Sequence, residues 1–274
     1  MTEAPPVHRP PDAAMVAHGP YALNVTVRIV AESADGVTDL PTLHGDGPFS
    51  LRRLRPRGSQ ARVCIVNTMS APHNGDRLHT EVIVAPNAEL HVITAAATVA
   101  LPGPSPGHAT HDVTLRVGDH ASLHWLPEPL ISAAGSDLRQ HIRIDLASTA
   151  RLVLSEQQIL GRAHEATGRL ASRITVRYDG RTLLDQHSAY GPGAPGWDGP
   201  AVLADNRAAG QLLVIDPAYH LRPPASHLLD GLPAHGVITP LAGPGALLTA
   251  IAPDAADLHR CLGAALRHLG HHNE

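Results

Sequence analysis

A repeated stretch between residues 77 and 161 constrains the fold of this chain more than any other feature of the sequence. Each copy has a run of alternating apolar and polar residues, then a turn, then an alanine followed two positions later by a leucine. The three marker leucines are Leu90, Leu123 and Leu152, which are separated by 33 and 29 residues. Alternation of this kind is typical of β-strands with one buried face. The repeat therefore predicts pairs of strands joined by turns.

Repeated units of roughly 20 to 50 residues are typical of stacked architectures, because one unit cannot bury its own apolar face and needs neighbours to cover it. The unequal spacing of the copies argues against a strict solenoid. We therefore predict a mainly β fold, a distorted β-helix-like stack of many short strands, with one short helix and a C-terminal amphipathic helix.

Alternation also predicts strands on both sides of the repeat. Before it, strands are expected at residues 21–30, 49–54 and 62–67, with a loop over 35–48. After it, Asp179-Gly180 between two alternating runs is a strong hairpin signal. The elements expected beyond residue 168 are strands at 169–178, 182–186, 201–203, 211–216, 236–240 and 246–251, a loop at 191–200 and a short helix at 223–229.

The last segment of the chain has the pattern of an amphipathic helix. Asp254 is a suitable N-cap, Asp257 lies in the first turn, and Gly270 can end the helix. The apolar stripe consists of Leu258, Cys261, Leu262, Ala265, Leu266 and Leu269. Such a stripe either packs on the protein's own sheet, which is the commoner case, or meets a partner.

Composition limits the class of protein. Residues 1–19 offer little to bury and are expected to be disordered, which leaves residues 20–274 as a single domain. A net charge of -4 gives no electrostatic case for nucleic-acid binding. The sequence lacks an apolar run of about 18 residues and a signal-peptide core, so a cytoplasmic location is the simplest interpretation. Cys64 and Cys261 do not make a disulfide framework.

Three acidic residues are candidates for a functional site. Asp76 follows the turn-forming pair Asn74-Gly75, where a carboxylate most often caps local backbone N–H groups. Glu128 and Glu156 follow the second and third marker strands at comparable positions, so stacking could bring the two carboxylates together. Paired carboxylates can act as acid and base or can bind a cation, and solvated strand ends are an equally good interpretation.

Other functional classes have weaker support in the sequence. There is no phosphate-binding or dinucleotide-binding glycine motif, no nucleophile elbow and no Cys-x-x-Cys pair. The 20 histidines are scattered without ligand spacing, although His268, His271 and His272 could hold a metal ion. A hydrolase or lyase using Glu128 and Glu156, or a His-rich metal-binding protein, remain as alternatives.

Several motifs, taken in order, resemble a known family, the urease accessory protein UreD, also called UreH. The resemblance covers roughly residues 20–270. The matching segments are 66–69 with 74–78, the Ala-Ala-Thr run at 95–99, the Trp-Leu-Pro-Glu-Pro segment at 125–129, Leu160-Gly161-Arg162 and the 196–200 loop.

The resemblance implies an all-β, non-catalytic scaffold. Such a scaffold binds UreF, which recruits the GTPase UreG, and the complex docks on apo-urease to deliver nickel. No tightly bound cofactor is expected, although nickel would pass transiently along an internal route. By the same resemblance, Asp76, Glu156 and, less securely, Glu128 would line that route. Glu128 is displaced by one position from the usual acid, which predicts that it points to the other face of its strand.

Overall fold

The computed structural model describes residues 22–105, 107–229 and 233–270. Within them the chain forms two facing β-sheets with a shared apolar core, and a helix covers the outer side of the second sheet. The expected disorder at 1–19 and the histidines at 271 and 272 fall outside the described residues. The elements, in chain order, are β1 (Asn24–Ala34), β2 (Val37–Gly45), β3 (Phe49–Arg57), β4 (Gln60–Asn67), β5 (Arg77–Val84), β6 (Glu89–Thr94), β7 (Thr98–Ala100), β8 (Ala109–Val117), β9 (Ser122–Leu126), β10 (Leu130–Ser132), β11 (Asp137–Leu146), β12 (Arg151–Leu160), β13 (Arg169–Tyr178), β14 (Arg181–Tyr190), β15 (Ala208–Ile215), a 3₁₀ helix (Pro217–His220), β16 (His227–Leu229), β17 (His235–Pro240), β18 (Gly245–Ala252) and α1 (Ala255–His268).

The first sheet has the order β14-β13-β11-β8-β5-β1-β2. Its five central strands run parallel, and the two edge strands β2 and β14 are antiparallel to their neighbours. The second sheet has the order β16-β17-β18-β15-β12-β9-β6-β4-β3, with β7 and β10 attached beside β12. Its central strands β4, β6, β9 and β12 are also parallel. The chain thus alternates between the sheets, as expected of a β-helix-like stack.

The repeat forms a ladder through the core, which confirms the predicted stack. Each copy places one strand in the first sheet, a turn, and one strand in the second sheet. Leu90 pairs in register with Leu123, and Leu123 with Leu152, so the marker leucines lie one above another. All three are at most 1% exposed. Asn87 and His120 in the turns have φ of 63° and 56°, a left-handed conformation that suits tight reversals.

The C-terminal helix also matches its prediction. The Asp254 side chain accepts a hydrogen bond from the backbone N–H of Asp257 at 2.9 Å. The apolar stripe is packed against β12, β15 and β18, so it belongs to the protein's own core and is not presented to a partner. Cys64 and Cys261 are buried free thiols. Among the described residues, none of the helices is long and apolar enough to cross a membrane.

Three local predictions are wrong. The expected loop at 35–48 contains strand β2, and the expected strand at 201–203 is a turn in which the Gly199 carbonyl accepts several backbone N–H groups. The short helix expected at 223–229 is absent. That segment starts with two prolines, which favour extended backbone and lack N–H donors, and it ends in strand β16. The 3₁₀ helix lies earlier, where Asp216 caps Ala218 N at 2.8 Å.

Candidate functional site: a buried polar layer between the sheets

A layer of polar side chains crosses the largely apolar space between the two sheets. On the first sheet, His111, Gln140 and Ser172 lie on adjacent strands in direct register. Each stands between apolar residues two positions before and after it, so its side chain points into the interior. Thr80 on β5 joins this row, because its Oγ1 lies 3.2 Å from His111 Nε2.

The second sheet supplies the other side of the layer. Glu156 and Gln158 project inward from β12, and Asn67, Thr94 and Thr98 come from strands further along the sheet. Asn67 Nδ2 donates to Thr98 Oγ1 at 3.3 Å. The result is a polar belt with apolar core on both sides of it.

Glu156 is the centre of this belt. Its residue is 6% exposed. Its Oε1 atom accepts hydrogen bonds from Gln158 Nε2 at 2.8 Å, from Gln140 Nε2 at 3.2 Å and from the Ser172 hydroxyl. All three donors are neutral. The carboxyl group is therefore held by hydrogen bonds from neutral side chains, and none of these three partners is a lysine or an arginine.

A cavity of about 70 Å³ lies against the polar belt, between the sheets. This volume is several times the roughly 10–15 Å³ needed to hold one water molecule. Asn67 lines the cavity, and its Oδ1 has no hydrogen-bond partner among the described residues. Buried polar atoms without protein partners generally bind water or a ligand. The cavity is therefore suited to water and small polar species.

The second sheet is interrupted where the cavity meets it. Strand β12 pairs with β9 at residues 151–154 and with β10 at 158–160. The three residues between them have no ladder partner on that side, and the segment facing them contains Pro127 and Glu128. A second crevice, on the outer face of the sheet beneath α1, is lined by Pro127, Glu128, Ser155 and Gln157. The interior thus approaches the surface at this interruption.

The structure places the two predicted glutamates on one cavity but in different surroundings. Glu156 is buried, whereas Glu128 is exposed and its backbone N–H donates to Thr94 Oγ1 at 2.9 Å. Both residues line the cavity at the interruption. Glu156 forms hydrogen bonds with neutral side chains and not with Glu128. The two glutamates are therefore not a carboxylate pair: one is buried and the other lies near the surface.

Asp76 lies elsewhere and has the capping role that the turn predicted. Its Oδ1 accepts the backbone N–H of Leu23 and its Oδ2 that of His73, both at 2.8 Å. The residue is 2% exposed and is not part of the cavity lining. Asp76 therefore ties the beginning of β1 to the turn before β5.

Comparison with known proteins shows the family of this chain. The pattern of the family described as UreD urease accessory protein matches residues 24–273. The chain belongs to the UreD family. It is 55% identical over 268 residues to urease accessory protein UreD 2 of Saccharopolyspora erythraea, covering 97% of this chain and 93% of that protein. It is also 55% identical over 254 residues to UreD 3 of Streptomyces griseus subsp. griseus, covering 90% and 97%.

Membership in UreD decides between the catalytic and non-catalytic interpretations. UreD is a family of accessory proteins, not of catalytic enzymes. The hydrolase or lyase hypothesis for Glu128 and Glu156 is therefore dropped. Within the described residues, no group of three or more His, Cys, Asp or Glu side chains is arranged to hold a metal ion.

Burial governs the charge states of the polar belt in this UreD chain. Loss of water raises the pKa of the Glu156 carboxyl, and the hydrogen bonds from Ser172, Gln158 and Gln140 act in the opposite direction. Loss of water also lowers the pKa of His111 to about 4. The imidazole is therefore neutral near pH 7, and its nitrogens can donate or accept a hydrogen bond.

Sequence analysis missed most of the belt. None of these four residues was a candidate: Thr80 and Ser172 lie within predicted strands, and His111 and Gln140 lie one residue before the predicted start of theirs. A signal was present: each occupies the inward phase of its strand, between apolar residues at i-2 and i+2. Comparing the inward positions of successive repeat strands would have revealed the polar row.

Proposed function

We propose that this UreD-family chain is a scaffold for the maturation of urease. In this role it binds UreF, recruits the GTPase UreG through UreF, and docks on apo-urease to assist nickel delivery to the active site. The observation that carries the proposal is the close similarity, along nearly the whole chain, to proteins named as urease accessory proteins.

We further propose that the cavity beside the polar belt is part of a transient route for nickel. Carboxylate, hydroxyl, amide and imidazole groups are ligands that a hydrated divalent cation accepts, and a transit route must bind weakly enough to release its cargo. Among the described residues, Glu156 is the acidic group at the centre of the belt, and Glu128 would lie near the opening. Asp76 is the weakest of the three candidates, because both of its oxygens already accept backbone N–H groups.

A co-expression experiment tests the scaffold role. Urease subunits and the other accessory proteins are expressed with and without this chain in nickel-containing medium, and urease activity, nickel content and recovery of UreF with the chain are measured. We expect activity and nickel content to depend on the chain and UreF to be recovered with it. Full activation without the chain, and no complex with UreF, would overturn the proposal.

A separate pair of variants tests the route. Glu156→Gln keeps the shape and an acceptor oxygen but removes the charge, so we expect lower nickel content of urease with normal recovery of UreF. Glu32→Gln is the matched control, because Glu32 is an exposed carboxylate on β1 outside the belt. Equal activation by the wild type and both variants would refute the route through Glu156 and leave the scaffold role intact.

A further inference from the structure

A second polar site lies on the outer face of the second sheet. A crevice of about 220 Å³ separates this face from α1. Its sheet wall includes Arg62 on β4, His91 on β6, and Ser155 and Gln157 on β12, and its helix wall includes Gly263. None of the family comparisons assigns a role to this crevice.

Four polar atoms in the wall of the crevice have no hydrogen-bond partner among the described residues. They are Arg62 Nε, His91 Nε2, Ser155 Oγ and Gln157 Oε1, and all four are buried. Ser155 and Gln157 are only 7% and 8% exposed. Because buried polar groups are nearly always hydrogen-bonded, a cluster of unpartnered atoms on three strands indicates that something else binds them.

The charges around the crevice favour an anion over a cation. Arg62 is paired in register with His91. Burial lowers the pKa of His91 to about 4, and His124, Arg62 and Arg57 add to the effect through their positive charge. The imidazole is therefore neutral near pH 7, and a metal ion bound to it would be repelled by the guanidinium. Guanidinium N–H and hydroxyl O–H groups instead require an oxygen acceptor.

We propose that this crevice binds a small oxyanion, either a carboxylate or a tetrahedral oxyanion such as phosphate. Arg62 Nε–H and the Ser155 hydroxyl donate to it, and the neutral imidazole of His91 donates through Nε2–H. Glu128 and His259 also line the crevice. The Glu128 carboxylate repels an anion, and Gln157 Oε1 is an acceptor that binds water rather than the anion, so the ligand is limited to the part of the crevice next to Arg62. The proposal goes beyond the role in urease maturation and does not depend on it.

The test follows the imidazole signals of the full chain by NMR while sodium acetate, sodium phosphate or sodium chloride is added at matched ionic strength. We expect a saturable change in the His91 signals with acetate or phosphate and none with chloride. A bound anion stabilises the imidazolium, so the His91 pKa should rise in its presence. If acetate binds more tightly than phosphate, the site prefers a planar carboxylate, and if phosphate binds more tightly, it prefers a tetrahedral oxyanion.

Three variants test the assignment of the donors. Arg62→Gln should weaken binding at least about tenfold, because it removes the charge-assisted donor. Ser155→Ala should weaken anion binding several-fold, and this variant still tests the proposal if Arg62→Gln does not fold. Arg52→Gln is the matched control, since Arg52 is an exposed arginine on the neighbouring edge strand β3. The proposal would be overturned by identical shifts with chloride or by unchanged binding in both Arg62→Gln and Ser155→Ala. It would also be overturned if no salt caused a shift, which would show that the crevice holds water only.

Discussion

Replacing Glu156 with glutamine removes one buried titratable carboxyl group and preserves the size of the side chain. The glutamine carbonyl oxygen can still accept hydrogen bonds from Gln158, Gln140 and Ser172, which now bind Glu156 Oε1. The substitution therefore tests how ionisation of this side chain affects the free energy of unfolding, with little change in packing. Its effect on the free energy of unfolding must depend on pH, because only the wild-type side chain titrates.

The sign of that dependence follows from the raised pKa of Glu156, which burial causes and three hydrogen bonds only partly offset. The folded state holds the proton more tightly than the unfolded state, where a glutamate titrates near about 4.3. The stabilising contribution of the protonated group is therefore complete below about pH 4. It is lost as the pH rises through the folded-state pKa, with a slope of up to about 1.4 kcal/mol per pH unit.

The expected result is that Glu156→Gln becomes progressively more stable than the wild type as the pH rises from 4, by at most about 1.4 kcal/mol per pH unit, until the folded-state pKa of Glu156 is passed. Urea denaturation followed by circular dichroism at several pH values measures the difference. Glu32→Gln, at an exposed position, is the matched control for loss of a carboxyl group outside the belt. A constant difference for Glu156→Gln would refute the reasoning that an ionised, desolvated carboxylate lies at this position.

Three further predictions concern the core, the turn and the belt. Leu123→Ala should lower the free energy of unfolding, measured by urea denaturation, by about 3–5 kcal/mol, because the neighbouring leucines of the ladder prevent the space left by the side chain from closing. Leu221→Ala is the control: Leu221 is 88% exposed, and its replacement should change the free energy of unfolding by less than about 0.5 kcal/mol. Asp76→Ala should cost about 2–4 kcal/mol and speed hydrogen exchange of the two amides that it caps, and unchanged exchange would contradict the cap. The imidazole of His111 should titrate near pH 4 when followed by NMR, and a midpoint near 6.5 would contradict its burial. Because the folded-state pKa of His111 is lowered, the free energy of unfolding should fall as the pH drops from about 6.5 toward 4.

The parts of the fold that depend on local pattern were predictable from the sequence. The ladder of Leu90, Leu123 and Leu152 follows from strand alternation and recurring turns, which are encoded within each copy. The Asp179-Gly180 hairpin forms because both residues adopt positive φ, at 49° and 73°. The helix after Asp254 follows from its cap and its stripe. In each case a short segment contains all the information that its conformation requires.

Elements that depend on distant partners were not predictable in this way. Strand β2 contains Pro41 and mixed polarity, features of a loop, and it is tolerated as a strand because it lies at the edge of its sheet and pairs only with β1. The polar belt was also not predictable from local sequence. Gln140 and Ser172 are adjacent only because β11 and β13 are parallel neighbours in register, and that register is a property of the whole stack.

The leucine ladder and the polar belt are two results of one arrangement. When parallel strands stack in register, side chains at equivalent positions of successive repeats become neighbours, whether they are leucines or polar residues. A single Gln or Ser at one such position would face apolar neighbours and lose its hydrogen bonds. With polar residues at adjacent positions, Gln140 and Ser172 both donate hydrogen bonds to Glu156 on the facing sheet instead. Where β9 gives way to β10, the pairing of β12 is interrupted beside Glu156, so within the described strands this interruption coincides with the centre of the belt. A leucine at position 156 would add apolar surface to the core, whereas the glutamate places a hydrogen-bonded carboxyl group beside the opening.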